Sequence, residues 1–165
     1  YTIAAVGGKA VIFTTTNGTT ALLHAAQAGA QRILVGCLNN ARSVATAAAG
    51  SGLGVHILCA GTHGFPSFDD MVAAGAILEA LETHTIRSPE SGSEQTLACL
   101  AAWRHARMSG IHSALMASTG SALANLGYRA DVADCAAIES LPGIVGEYHI
   151  AKGTITRSVQ PLDME

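Results

Sequence analysis

The chain has 165 residues, 49% of them apolar but only 4% aromatic, and a formal net charge of −3. That length suits one core and one domain. The small negative charge leaves no basic footprint for nucleic acid, and no apolar run approaches the roughly 18 to 20 residues that cross a bilayer, so neither nucleic acid nor membrane is an expected partner.

The sequence opens at Tyr1 rather than Met, directly in an apolar pattern with no leader, and a segment upstream of Tyr1 is therefore expected. Ala10–Thr15, Arg32–Gly36 and Val55–Ala60 are short β-rich runs, apolar on both faces. Such runs suit strands covered on both sides of a parallel sheet. Between them, Thr20–Ala28 and Ala41–Ala49 read as helices stopped by Gly29 and Gly50. A turn at Gly61–Pro66 leads into a helix from about Ser67 to Glu82, with Met71, Ala74, Leu78 and Leu81 as its apolar stripe. Arg87–Gln95 reads as an exposed loop. A helix over Thr96–Met108 follows, with Leu97, Leu100, Ala101 and Met108 facing inward, broken at Gly110. His112–Leu126 carries one or two more helices, ending at Gly127, and Asp131–Ile138 a short one. Ile144–Ile150 and Thr154–Val159 flank Ala151-Lys152-Gly153 as a hairpin. The expected fold is a single layered α/β/α domain over residues 1–165, with a largely parallel sheet and a helical C-terminal half.

Chemistry concentrates where the three expected strands end. The first leads into Thr14-Thr15-Thr16-Asn17-Gly18-Thr19, three hydroxyls, an amide and a glycine entering a helix. The first amides of a helix lack intrahelical partners, and its dipole adds positive charge there, so this corner suits a phosphate, sulfate or carboxylate. The plain alternative is that Asn17 or Thr16 only caps the helix. The second strand leads to Gly36-Cys37-Leu38-Asn39-Asn40 and the third to Cys59-Ala60-Gly61-Thr62-His63-Gly64. Parallel strands would bring all three loops to one carboxyl edge, where open α/β sheets bind ligands. Thr15, Thr16, Asn17, Gly18, Thr19, Asn39, Gly61, Thr62 and His63 are the candidate anion-binding residues. His63 reads as an acid, base or anion contact, or as a plain exposed loop histidine.

Asp69 and Asp70 follow the third loop. They read either as carboxylates for Mg²⁺, which takes a few carboxylates plus phosphate and water, or as helix-start acids in a capping box begun by Ser67. The seven histidines form no H-x-H or H-E-x-x-H, so zinc is not expected. The absence of G-x-S-x-G, P-loop and G-x-G-x-x-G patterns removes support for a serine triad and for ordinary nucleotide binding. Cys37, Cys59, Cys99 and Cys135 form no C-x-x-C pair and read as reduced, mostly buried thiols of a cytoplasmic protein.

Four segments together resemble the 2-phosphosulfolactate phosphatase family, Mg²⁺-dependent enzymes of coenzyme M biosynthesis. Val11–Ala21, VIFTTTNGTTA, is similar to the family's strand followed by T-T-N-G-T-R-A. Val35–Ala45, VGCLNNARSVA, resembles its V-G-(small)-x-x-N-A-x-x-V-A. Ile57–Leu81, beginning ILCAGTHGFPSFDDMVAAGAI, resembles its C-A-G-T-x-G-x-x-S-x-E-D-x-x-A-A-G, and Leu123–Pro142 its L-x-x-L-G-x-x-x-D-x-x-x-C ending before a proline. Tyr1-Thr2 suits the position just after the family's G-N-S-P-x-E. The resemblance implies the C-terminal two-thirds of a longer family protein, a homo-oligomer. It also implies a hydrolase acting with Mg²⁺ on a small phosphorylated sulfonate or carboxylate such as 2-phosphosulfolactate. Two departures stand out. Thr20 occupies the place of the arginine in T-T-N-G-T-R-A, and Ser118-Thr119-Gly120-Ser121-Ala122-Leu123 lacks the histidine and both arginines of S-x-H-G-R-R-L. Those cations are natural partners of a phosphate or sulfonate. The family's D-V-x-R-A-(S/T)-T segment is also not in this sequence. The alternative expectation is a non-catalytic anion-binding or assembly protein with a decayed site.

Overall fold

The computed structural model describes residues 3–9, 11–12, 14–84 and 93–158. Tyr1, Thr2, Ala10, Phe13, the first six residues of the expected loop at Arg87, and Val159 lie outside them. In chain order, α1 spans Ile3–Val6, α2 Gly18–Gln27, β1 Leu34–Val35, a short 3-10 turn Leu38–Asn40, α3 Ala41–Ala49, α4 Phe68–Glu82, α5 Glu94–Ser109, α6 Ile111–Met116, α7 Gly120–Asn125, α8 Arg129–Cys135, β2 Gly146–His149 and β3 Thr154–Arg157.

Helix α4 is the middle layer of a three-helix stack, with α3 on one side and α5 on the other. A helix between two neighbours buries more than one stripe. Val72, Ala74, Gly75, Ala76, Ile77 and Leu81 are all buried, whereas the sequence pattern suggested a single line through Met71, Ala74, Leu78 and Leu81. Gly75 sets the α4–α5 distance. A Cβ there would lie 2.2 Å from the Cys99 carbonyl oxygen and 2.5 Å from Trp103 Cβ.

Helix α5 starts where Ser93 Oγ accepts the Thr96 amide and stops at Gly110, whose φ of 85° is left-handed. Its buried residues are Leu100, Ala102, Trp103 and Ala106. This corrects the expected inward face: Leu97 and Met108 are 48% and 89% exposed, and Ala101 is exposed too. Trp103 decides the rotation. It contributes the largest apolar surface of the helix, and its indole Nε1 donates to Glu79 of α4 at 2.9 Å.

The sheet is small and antiparallel, in the order β1-β2-β3. The C-terminal hairpin forms as expected, with Gly146 opposite Arg157 and His149 opposite Thr154. The expected parallel neighbours do not appear as ladders. Of Arg32–Gly36 only Leu34–Val35 is a strand, and it pairs antiparallel with β2 through Leu34 to Glu147 and Val35 to Gly146. Val55–Ala60 and the described part of Ala10–Thr15 are extended or irregular but carry no ladder. A side-chain clamp explains the β1 partner. The Arg32 guanidinium donates to both Glu147 carboxylate oxygens at 3.0 and 2.9 Å, to Ser158 Oγ at 2.9 Å and to the Ala47 carbonyl at 3.1 Å. Hydrophobic pattern specifies which face of a strand is buried, not which distant segment lies beside it. The class is mixed α/β, with α3, α4 and α5 holding most of the core.

The cysteines are free, but they are not mostly buried: Cys37 and Cys135 are exposed and Cys59 and Cys99 half-buried. Among the described residues no helix is long and apolar enough to cross a membrane.

Candidate active site: three polar corners and an acidic pair

The first corner is a self-contained helix start. Thr15 Oγ1 accepts the Thr19 amide at 3.2 Å, and Thr19 Oγ1 accepts the Thr15 amide at 3.2 Å. This reciprocal pair has the logic of a capping box, with hydroxyls on both sides. Asn17 occupies the cap position of α2 but makes no capping bond. The capping alternative for Asn17 is therefore removed, and its side chain is left to other partners. Thr20 Oγ1 donates to the Thr16 carbonyl at 3.2 Å, so the residue standing in the family's arginine position turns back onto its own helix. Gly18 sits close under Thr15, since a Cβ there would meet Thr15 Oγ1 at 2.8 Å.

The second corner is a tether. Asn39 Nδ2 donates to the carbonyls of Asp134 and Ala137 and to Ser140 Oγ, at 2.7 to 2.9 Å. Buried Asn40 uses Oδ1 to accept the Cys37 amide at 2.8 Å, and Nδ2 to reach the Val35 and Ile144 carbonyls. The Asn39 amide donors are thus engaged in holding the segment after α8 against the end of β1. Glu139, with a left-handed φ of 52°, accepts the Arg42 amide at the start of α3 at 2.6 Å. A positive φ on a residue with a Cβ persists where its surroundings hold it.

The third corner carries the acidic pair. The Gly61 amide donates to Asp70 Oδ2 at 2.6 Å, and Ser67 Oγ donates to Asp69 Oδ1. Ser67 makes no capping bond to the helix, so the expected box from Ser67 to Asp70 is not formed. Burial raises the Asp70 carboxyl above its ordinary value, and the neighbouring Asp69 adds to this, while the Gly61 bond opposes it. Among the described residues neither aspartate is in a salt bridge. The loop before them is strained and tight. Thr62 and Phe65 exchange backbone bonds of 2.9 and 3.0 Å, and His63 stands exposed at the tip with φ 52°. Gly61 has φ 70°, and a Cβ on it would lie 2.7 Å from the Phe65 carbonyl; only glycine fits both demands.

The second and third corners approach one another. The turn at Leu38–Asn40 packs on α4, whose first turn carries both aspartates. No hydrogen bond among the described residues joins Thr15–Thr19 to Gly61–His63 or to the aspartates. No group of three or more His, Cys, Asp or Glu among the described residues could hold a metal alone. The donor set fits Mg²⁺ in a narrower sense. Each aspartate keeps one carboxylate oxygen outside the bonds above, the pair has no cation partner among the described residues, and Mg²⁺ takes one or two carboxylates and completes its shell with phosphate and water.

The profile of the family described as 2-phosphosulpholactate phosphatase matches residues 1–149, which include all three corners and both aspartates. The chain belongs to that family. A probable 2-phosphosulfolactate phosphatase of Thermus thermophilus is 35% identical over 156 residues, covering 90% of this chain and 64% of the relative. One from Clostridium novyi is 34% identical over 155 residues, covering 93% and 63%. One from Caldanaerobacter subterraneus is 47% identical over 85 residues, covering 52% and 34%. The chain thus spans a third to just under two thirds of the length of these 2-phosphosulfolactate phosphatase relatives. Sequence reasoning named the acidic pair and the loops but missed the bond from Gly61 to Asp70, because nothing local links residues nine apart across a turn.

Proposed function

We propose that this chain carries part of the active site of a phosphatase that hydrolyses a small phosphorylated sulfonate or carboxylate such as 2-phosphosulfolactate. The observation that carries the reading is Asp70, a half-buried carboxylate held by a loop amide and without a cation partner among the described residues. Perturbed acids beside polar loops are a mark of functional sites. Asp70 and Asp69 would hold Mg²⁺, which when bound offsets phosphate charge and makes a bound water more acidic. Thr62 Oγ1 and the His63 side chain, at the exposed loop tip, would donate to phosphate oxygens. Asn17, with Thr16, would orient the anionic remainder of the substrate from the start of α2.

The same reading holds that Arg32–Gly36 and Val55–Ala60 stand as parallel neighbours in the complete family protein, assembled as a homo-oligomer in the cytoplasm. Supporting it, no backbone group from Gly54 to Ala60 bonds to another backbone group among the described residues, and Val55 and Leu58 are 43% and 58% exposed. Such a run is suited to taking a neighbour.

The test is phosphate release from 2-phosphosulfolactate with Mg²⁺ and with a chelator. The expected result is slow turnover that stops with chelator and falls at least tenfold with Asp70→Asn. The slowness follows from Thr20 and Thr119, which stand where the family's pattern has an arginine and a histidine. Turnover unaffected by chelator, or unaffected by Asp70→Asn, overturns the reading.

A further inference from the structure

Two of the four thiols meet beside the acidic corner. Cys59 lies on the extended run before Gly61 and Cys99 on α5, and both line one cavity of about 750 Å³. Each thiol bears on the other's proton affinity, so the two side chains are neighbours. The two residues are held very differently. The Cys99 backbone is fixed where α4 and α5 touch, since its carbonyl oxygen forms the tightest contact at Gly75. Cys59 belongs to the run from Gly54 to Ala60, which has no backbone–backbone bond among the described residues. One sulfur is anchored, and the other can shift to meet the narrow geometry a disulfide requires. Both cysteines are only partly buried, so solvent reaches them.

We propose that Cys59 and Cys99 form a reversible disulfide by exchange with a small disulfide of the glutathione type. The Cys99 thiol gives its proton to solvent, and its thiolate attacks one sulfur of the reagent. The reagent's S–S bond breaks, and its other half leaves as a thiolate that takes up a proton. The Cys59 thiol then loses its proton, and its sulfur attacks the Cys99 sulfur of the mixed disulfide, expelling the second small thiol. The protein loses two electrons and two protons, and the reagent gains both. Cys99 acts first because burial raises both thiols but carries Cys59, with the charges of Cys99, Asp70 and Asp69 adding to it, up to about 11. Exchange is accordingly slow at neutral pH and gains about tenfold per pH unit while thiolate is the minor form. The new bond closes two residues from Gly61, whose amide holds Asp70, and so ties the acidic corner to α5.

The experiment uses the full 165-residue chain with Cys37→Ser and Cys135→Ser, so that the exposed thiols take no part. The reduced protein is mixed with oxidised glutathione, quenched with an alkylating reagent, and mapped by peptide mass spectrometry. The expected product has lost two hydrogens, carries a cross-link between the peptides of Cys59 and Cys99, keeps no glutathione, and reverts with dithiothreitol. Adding Cys59→Ser should leave a lasting glutathione adduct on Cys99. Glutathione retained on either cysteine of the unblocked pair overturns the proposal, as does a folded protein inert under conditions where the urea-unfolded chain reacts. If the double serine variant does not fold, the same mapping on the wild-type chain decides: a cross-link joining Cys59 to Cys99 supports the proposal, and one elsewhere overturns it.

Discussion

The corners at Thr15–Thr19 and at Gly61–Asp70 look alike as strings of small polar residues before a helix, yet they are built on different principles. In the first, the recorded bonds span four residues and stay within the turn. In the second, a loop amide reaches a carboxylate nine residues on, and burial raises that acid. A capped turn satisfies a helix and asks nothing of the rest of the protein. A half-buried acid without a cation is unfavourable where it stands, and the surrounding helices must hold it there. The second arrangement is the one that points to chemistry.

Mutating the acid should separate the two corners most sharply. Asp70→Asn keeps an acceptor for Gly61 and removes the charge. Losing a charged contact of about 1.5–3 kcal/mol should lower Mg²⁺-dependent phosphate release roughly 10- to 100-fold, while the melting temperature holds or rises. The pH dependence carries the same signature. Because the folded carboxyl is raised, its contribution to stability is full below the ordinary value of 3.8 and is lost as pH rises through the folded value. Urea unfolding of the asparagine variant should lose that decline; an identical pH profile would show that the acid is not strained.

Next in size is the support beneath the acidic corner. Gly75→Ala forces α4 away from α5, where a Cβ would lie 2.2 Å from a carbonyl oxygen. Overpacking of this kind costs roughly 1–3 kcal/mol, readable as a lower urea midpoint with an unchanged slope. The first corner should yield less. Thr15→Ala removes the acceptor for the Thr19 amide and should cost about 1 kcal/mol, with amide exchange speeding up in α2 and not in α4 or α5. Asn17→Ala should leave stability within about 0.5 kcal/mol, because Asn17 makes no capping bond; a drop as large as that of Thr15→Ala would restore it as a cap. The clamp at the sheet should match the Thr15 cap in size. Arg32 holds the Glu147 carboxyl below its ordinary value, so the pair's contribution is present above about pH 4.5 and fades as pH falls through the lowered value. Glu147→Gln should flatten that acid limb and cost about 1 kcal/mol at neutral pH.

The sequence by itself determined the local elements. Glycine and alanine patterning placed α2, α3 and α4 within two residues of their ends, and alternation around Ala151-Lys152-Gly153 gave the hairpin. It also named Asp69 and Asp70, because consecutive acids after a Gly-bearing loop are visible without any fold. Tertiary structure alone decided the rest. Trp103 turned α5 so that Leu97 and Met108 face out, since one large ring against Glu79 outweighs a stripe of smaller residues. Arg32 chose β2 as the neighbour of β1, because a bidentate ion pair across more than a hundred residues leaves no trace in local periodicity. Asn39 found three partners near α8, some hundred residues on, that no local pattern links to it. Asp70 met Gly61 through the fold of the loop between them, and that contact, set by packing rather than by spacing, converts a helix-start acid into the candidate centre of the site.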